Sequence, residues 1–240
     1  MKLYDRIIED TLQTLSGLTP AIYAYNEKKA WKDTGESSFI MQRDAALEIG
    51  GGGAASVNYT CVTTGDEVTK DDILVYGPDL KDLLNGTPVS FARIVLLQTE
   101  DLGEDRDTEK AFEAIRNLEF VRYHVYPEGY MVRVSAQSDQ EQIRLSREAL
   151  KKGISFEQVG NLYIRKYKEI PLVKHVRILF VTGQETVEKL MPNASKVTAI
   201  TRTLTHILDG MPTDCGHCSM KSVYDEVEGM KELHLGKRKA

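Results

Sequence analysis

Cysteine is scarce in this sequence, which has three cysteines among 240 residues. An odd number, with two of them in a C-x-x-C pair, excludes the disulfide framework of a small secreted domain and favours a reducing compartment. Long apolar runs are also missing, since no segment approaches the roughly 18 consecutive apolar residues that a transmembrane helix needs. The polar N-terminal segment lacks the apolar core of a signal peptide. We therefore expect a cytoplasmic protein that does not enter a membrane.

Positive charge is in the minority, with 31 Lys and Arg against 36 Asp and Glu and a net charge of −5. This balance argues against non-specific binding to nucleic acid. The positive residues nevertheless cluster in residues 144–177, which contain nine Lys or Arg and three Glu. Such a segment binds a phosphorylated cofactor or an acidic partner, or it is the ordinary solvated face of a helix, and both interpretations stay open. The candidate cofactor-binding residues are Arg144, Arg147, Lys151, Lys152 and Arg165.

Standard catalytic and nucleotide-binding motifs are missing as well. The glycine run Gly50–Gly53 is followed by neither Lys-Ser/Thr nor a G-x-G-x-x-G pattern, which favours a tight connection into a strand over a phosphate site. No arrangement of nucleophile, base and acid is visible, so no catalytic residue is predicted. His124, His175 and His206 fall in predicted strands or helices, where we expect packed core histidines.

The densest group of soft metal ligands lies near the C-terminus, where Cys215 and Cys218 flank His217. Two thiolates at this spacing fit one turn and chelate a soft ion, but a structural zinc site takes four ligands. The predicted metal ligands are Cys215, Cys218 and His234, because His217 lies inside the chelate turn and would point away from the ion. A redox dithiol and an unmodified cysteine pair in a capping turn are the alternatives.

Apolar periodicity and turn residues divide the chain into interleaved helices and strands. The predicted helices are 3–15, a segment around Phe112, Ile115 and Leu118, 146–152, a helix opened by Ser155 and ended by Pro171, 185–190, 194–208 and 219–233. The predicted strands are 57–63, 73–76, 89–99, 120–126, 130–135 and 175–182. Residues 21–46 are predicted to be a loop with room for one short helix.

The order of these elements follows no strict βαβ rhythm, which predicts an α+β (mixed α/β) fold. We expect a mixed sheet with flanking helices and a C-terminal helical segment that carries the C-x-x-C pair. Pro127 and Gly129 indicate a hairpin between the strands 120–126 and 130–135, and Pro192 indicates a helix break. The predicted domains are 1–45, an N-terminal helical segment, 46–192, an α/β body, and 193–240, the C-terminal helices with C-x-x-C.

Short segments in a fixed order carry a family resemblance. They are Ala46–Gly51, Val75–Leu80, Phe112–Gly129, Ile143–Ala149 with Lys152-Gly153, Phe156–Gly160 and Thr186–Pro192. Together they resemble the middle region of the β-type subunit of the carbon monoxide dehydrogenase/acetyl-CoA synthase complex. The resemblance extends from about residue 45 to Cys218.

The resemblance implies a metal site at the C-x-x-C pair. In that family the middle region leads into a cysteine-rich segment that holds a nickel–iron–sulfur cluster, and its first pair matches Cys215 and Cys218. The family pattern also needs further cysteines and a later Cys-Gly-Cys, whereas this sequence has no cysteine after Cys218, and Gln142 stands where the family has tryptophan. We therefore expect iron–sulfur, nickel or zinc at Cys215 and Cys218, and CO-methylating acetyl-CoA synthase-like activity only if the cluster ligands are completed.

Three functions follow as hypotheses. The favoured one is an accessory or binding protein in anaerobic one-carbon metabolism, which docks a corrinoid protein, a methyltransferase or a CO dehydrogenase-type subunit. The alternative is an enzyme acting on acetyl-CoA or coenzyme A, whose phosphates meet the candidate basic residues. The third is a small zinc or redox module.

Overall fold

The computed structural model describes residues 3–51, 53–83, 89–100, 108–134 and 141–209. The helices of these residues are α1 (Asp5–Leu15), α2 (Thr108–Phe120), α3 (Arg147–Lys151), α4 (Phe156–Lys168) and α5 (Gln184–Leu208). The strands are β1 (Ala21–Ala24), β2 (Ala45–Ile49), β3 (Ser56–Thr63), β4 (Asp72–Tyr76), β5 (Phe91–Thr99), β6 (Tyr130–Val134), β7 (Glu141–Ser146) and β8 (Val173–Val181). The predicted α+β class, with a mixed sheet and flanking helices, is confirmed.

The larger sheet of the described residues has the strand order β1-β4-β8-β5-β3. Strand β8 lies at its centre, parallel to β4 and antiparallel to β5. The outer pairs are β3–β5, which is parallel, and β1–β4, which is antiparallel. All nine residues of β5 are buried, as expected for a strand whose two faces are both covered.

A smaller antiparallel sheet has the order β2-β7-β6. Strand β7 pairs with β2 on one side and with β6 on the other. The two sheets touch where β3 contacts β7. The buried core of the described chain contains residues from α1, both sheets, α4 and α5, and so draws on each of the three segments predicted as domains.

Helix α4 packs on β4 and β8 of the larger sheet. It begins at Ser155, whose side chain accepts a hydrogen bond from the backbone N–H of Gln158 in a capping box, which confirms the predicted N-cap. The helix comes so close to β4 that a Cβ on Gly160 would lie 2.6 Å from Cγ1 of Ile73. Glycine at this position therefore sets the distance between helix and sheet.

The predicted hairpin around Pro127 is wrong in its first strand. Helix α2 continues through Phe120, and Val121–His124 forms a 3-10 helix. Arg122 forms an ion pair with Glu119 one turn earlier, at 2.9 Å, which favours helical backbone over an extended strand. Strand β6 pairs instead with β7.

Two further predictions are corrected by the structure. Pro192 does not break the last described helix, since α5 runs through it from Gln184 to Leu208. Pro192 and Glu188 both lie on the exposed side of α5, where the loss of the helical hydrogen bond between them is least costly. Residues 21–46, predicted to be mainly loop, contain β1 and the start of β2. The predicted helix 219–233 lies outside the described residues.

Replacing Gly160 by valine is expected to lower the free energy of unfolding by about 1–3 kcal/mol, because the new side chain forces Ile73 and the central sheet to move. Urea unfolding at neutral pH measures this. Gly17→Val is the matched control, since a Cβ there meets nothing within 4 Å. Equal stability of the two variants would contradict the close packing of α4 on β4.

Candidate functional site

A buried ion pair joins the two sheets. Arg93 on β5 belongs to the larger sheet, and Glu141 on β7 belongs to the smaller one. The Nη2 atom of Arg93 lies 2.7 Å from Oε2 of Glu141, and both side chains are buried. A buried charge is tolerated only when it is paired and hydrogen-bonded, so this contact fixes how the sheets meet.

Tyr163 on α4 also contacts Arg93. Nη1 of Arg93 donates a hydrogen bond to the Tyr163 hydroxyl, and the guanidinium lies 4.5 Å from the centre of the Tyr163 ring. Burial raises the pKa of Tyr163 to about 12, although Arg93 opposes the shift. The phenol is therefore neutral at physiological pH and acts as a hydrogen-bonding group.

A second ion pair lies beside the first. Arg122 pairs with Glu119 at 2.9 Å, and its Nε lies 3.9 Å from Oε1 of Glu141. Nη1 of Arg122 also donates to the backbone carbonyl of Asn58 on β3 at 3.2 Å. Burial raises the pKa of Glu119 above its ordinary value of 4.5, while Arg122 opposes that shift. Two arginines and two carboxylates thus form one group, which we call the buried centre (Arg93, Glu119, Arg122 and Glu141).

Several polar atoms around the buried centre make no hydrogen bond to other described residues. They are Nδ2 of Asn58, Nε of Arg122, the hydroxyl of Tyr130 and Oε1 of Glu141. Buried polar groups in folded proteins are nearly always hydrogen-bonded. These atoms can therefore form further hydrogen bonds in addition to those within the buried centre.

A cavity of about 200 Å³ opens next to the buried centre. Arg122 belongs to both, and Tyr130, whose hydroxyl is one of the buried atoms without a hydrogen bond to other described residues, also lines the cavity. The cavity is lined by Ser37, Ser38, Arg122, Tyr123, Val125, Tyr126, Pro127, Tyr130 and Val132. Its wall therefore comes from the 3-10 helix after α2, from β6 and from the segment before β2.

Exposed aromatic side chains flank this cavity. Phe39, the neighbour of Ser38 in the chain, has 80% of its surface exposed. Phe120 and Tyr123 are also exposed, with ring centres 6.1 Å apart. Large exposed aromatics beside a cavity are typical of binding surfaces. We call Phe39, Phe120 and Tyr123 the aromatic rim.

Comparison with known proteins identifies the family. Residues 32–187, more than half of the chain, match the family model described as CO dehydrogenase/acetyl-CoA synthase complex beta subunit. The chain belongs to this family. The matched segment contains the buried centre, the cavity lining and the aromatic rim.

Archaeal proteins are among the relatives of this family member, and each is named as a beta subunit of an acetyl-CoA decarbonylase/synthase complex. The protein from Archaeoglobus fulgidus is 28% identical over 158 residues, which are 65% of this chain and 29% of the relative. The Methanopyrus kandleri protein is 27% identical over 164 residues, or 68% of this chain and 33% of the relative. The beta 1 subunit from Methanosarcina thermophila is 27% identical over 163 residues, with the same coverage. The chain thus spans about a third of the length of these relatives.

The predicted cofactor-binding residues of this family member lie on different elements. Arg144 on β7 is buried, pairs with Glu48 at 2.8 Å and donates to the backbone carbonyl of Ile40 at 2.9 Å. Lys152, just after α3, pairs with Glu148 at 2.8 Å and with Glu128 at 3.0 Å. The charges of these two residues are therefore already matched by carboxylates.

Within the described part of the chain, the other three basic residues are not paired with carboxylates in the way that Arg144 and Lys152 are. Arg147 donates from Nε to the backbone carbonyl of Ala45 at 3.3 Å, and Lys151 is exposed on α3. Arg165 on α4 is half-buried and lies near Tyr25, whose pKa is raised by burial and by Glu27 and lowered by Arg165. Coenzyme A binding at the five residues stays a prediction, and it would require Arg144 and Lys152 to share or leave their carboxylates.

The predicted metal ligands Cys215, Cys218 and His234 lie outside the described residues. Within the residues that the structure does describe, no group of three or more His, Cys, Asp or Glu is placed to hold a metal ion. The histidines expected in the core are not buried, and His124 is exposed, with Nδ1 at 3.0 Å from the carbonyl of Phe120. In the same described part of the chain, no helix is both long and apolar enough to cross a membrane.

The buried centre was not predicted from the sequence. One signal for it exists, since Arg93 interrupts the otherwise apolar run Phe91–Leu97 and a buried arginine needs a partner. That signal does not identify the partner, because Glu141 lies 48 positions away in sequence. For the cavity, the clustering of Tyr123, Tyr126 and Tyr130 in sequence is a signal for a binding wall, but cross-strand packing is the simpler interpretation of such a cluster.

Replacing Arg93 by methionine is expected to destabilise the fold by about 3–5 kcal/mol, because Glu141 is left buried without its closest cation. Urea unfolding is the measurement, and the double variant Arg93→Met/Glu141→Gln should recover most of the loss. Lys29→Met, which removes an exposed ion pair with Glu157, is the control and should cost less than about 1 kcal/mol. A loss of equal size at Arg93 and Lys29 would contradict the central role of the buried pair.

Proposed function

We propose that this chain is a binding subunit in CO dehydrogenase/acetyl-CoA metabolism, and that it docks a protein partner of that system. Family membership through residues 32–187 is the observation that carries the proposal. The relatives are named as subunits of a multiprotein complex, which supports a partner for this chain as well. The partner classes are a corrinoid protein, a methyltransferase and a CO dehydrogenase-type subunit.

The aromatic rim supports docking at the face that carries the cavity. Aromatic residues and arginine are enriched among the residues that contribute most to protein interfaces. Here Phe39 stands exposed beside Ser38, and Tyr123 supports the guanidinium of Arg122 at 4.6 Å from the ring centre. A rigid cation next to exposed rings offers a partner both apolar contact and a charged anchor.

Purified chain is expected to bind one of the three partner classes in anoxic size-exclusion chromatography and biolayer interferometry. Phe39→Asp should weaken that binding at least tenfold, because it places a charge in the aromatic rim. Ile22→Asp is the control, since Ile22 is an apolar side chain with 66% of its surface exposed on β1, away from the rim. Binding of none of the three classes contradicts the function, whereas equal loss in both variants contradicts only the docking face.

The proposal includes a metal at Cys215 and Cys218. Two thiolates and the His234 imidazole form a donor set suited to zinc or to an iron–sulfur or nickel centre, but they are one ligand short of a structural zinc site. A ligand from a docked partner or from a second copy would complete the set. Such a bound metal would supply Lewis acid or redox chemistry at the interface.

Protein purified without oxygen is expected to contain metal, and the Cys215→Ala/Cys218→Ala variant is expected to lose it. Elemental and sulfide analysis distinguishes the candidates, since iron with sulfide, nickel and zinc give different results. Cys61→Ala is the matched control, because Cys61 is buried in the core and its pKa is raised by burial, which makes it a poor ligand. Equal metal content in all three proteins would contradict the assignment of the ligands.

A further inference from the structure

The side chains that line the cavity favour a negatively charged ligand over a cation. Among the side chains that line it, Arg122 carries a positive charge, and tyrosine and serine hydroxyls supply further hydrogen-bond donors. The lining contains no aspartate and no glutamate. A group that accepts hydrogen bonds and carries negative charge therefore fits it better than a cation.

Arg122 is held in place before any ligand arrives. It donates to the carbonyl of Asn58 at 3.2 Å and to the hydroxyl of Tyr123 at 2.6 Å, and it pairs with Glu119. Only 12% of the side chain is exposed, so its rotamer is fixed by packing. Binding to a fixed donor costs little conformational entropy, which favours a small ligand that makes few contacts.

Arg122 remains a candidate anion-binding residue although two carboxylates contact it. Glu119 and Glu141 contact it from the buried side, and Glu141 is shared with Arg93. They keep the guanidinium charged and oriented, and Arg122 is the charged residue among those that line the cavity. Arginine binds a planar carboxylate through charge-assisted hydrogen bonds, which are shorter and stronger than neutral ones.

Size and wall composition define the rest of the ligand. A volume of about 200 Å³ is below the range of about 300–1,000 Å³ that drug-sized ligands occupy. Val125, Pro127 and Val132 provide apolar surface, and Tyr126 provides a ring face. These walls suit a flat apolar body such as one aromatic ring.

We propose that this cavity binds a small free carboxylate with a flat apolar body, held by Arg122 and neighbouring hydroxyls. The cavity shares Tyr123 with the aromatic rim, whereas Phe39, the residue that tests the rim, is not among the residues that line the cavity. Binding of the small ligand and docking of a partner are measured with different ligands and different variants, so failure of one proposal leaves the other standing.

The test is calorimetric titration of the full chain at constant ionic strength with sodium benzoate, a single-ring carboxylate. Benzamide is the matched neutral probe, because it keeps the ring and the planar group but lacks the charge. We expect saturable binding of benzoate at a single site and at least tenfold weaker binding of benzamide. Equal binding of both probes, or no binding of benzoate, would overturn the proposal.

A steric variant tests whether the observed binding occurs in the cavity. Ser38→Trp fills the cavity from its half-buried edge without replacing any residue of the buried centre. It should abolish benzoate binding while the melting temperature stays close to that of the parent chain. Ser195→Trp on the exposed side of α5 is the control and should bind benzoate normally. Unchanged benzoate binding by folded Ser38→Trp would place the anion elsewhere and overturn the proposal.

Discussion

The contact between Arg93 and Glu141 determines how the two sheets of this protein meet. Each side chain is buried, so neither charge has water as an alternative partner, and each sheet is stable in its position only while the other is present. The backbone is also closely packed where the two sheets meet. A Cβ on Gly50 would lie 2.7 Å from the carbonyl oxygen of Glu141, and Gly50 has a φ of 70°, so glycine alone fits where β2 ends.

The face that carries the cavity depends on this junction. Glu141 contacts both arginines. Arg122 in turn lines the cavity and contacts the ring of Tyr123, which belongs to the aromatic rim. The position of an exposed ring is thus set by charges in the core. This face is rigid, because the side chains at its edge are held by groups that cannot move without uncovering a buried charge.

Much of the fold could be predicted from the sequence, because buried strands and helix caps produce local patterns of apolar and capping residues. The apolar runs of β5 and β8 and the Ser155 cap of α4 were found from such patterns. The tyrosine-rich segment around Tyr123 was misread as a strand, because alternation of large side chains resembles a strand when the Arg122–Glu119 pair is not known. The partner of β6 was missed for a related reason, since pairing with β7 is decided by tertiary contact and not by the nearby turn.

The candidate site was less predictable than the fold. Basic residues clustered in sequence suggested a ligand surface, yet Arg144 is buried and paired with Glu48 in the smaller sheet. The residues that do form a cavity come from separate segments and have no common motif. Arg93, a charge in an apolar strand, and the cluster of tyrosines from Tyr123 to Tyr130 mark the region in sequence, but the meaning of Arg93 depends on a distant glutamate and tyrosine clusters also occur in ordinary packing.

The central position of β8 has a consequence for the protein as it is made. Strands β4 and β5 each present an edge that β8 covers, and β8 is encoded after both of them and after β6, β7 and α4. A nascent chain that has not reached Val173 therefore holds two strand pairs with open, apolar edges, the kind of surface on which unfinished chains associate. Insertion of this single strand between them converts two separate ribbons into one sheet and removes both hazards in the same step.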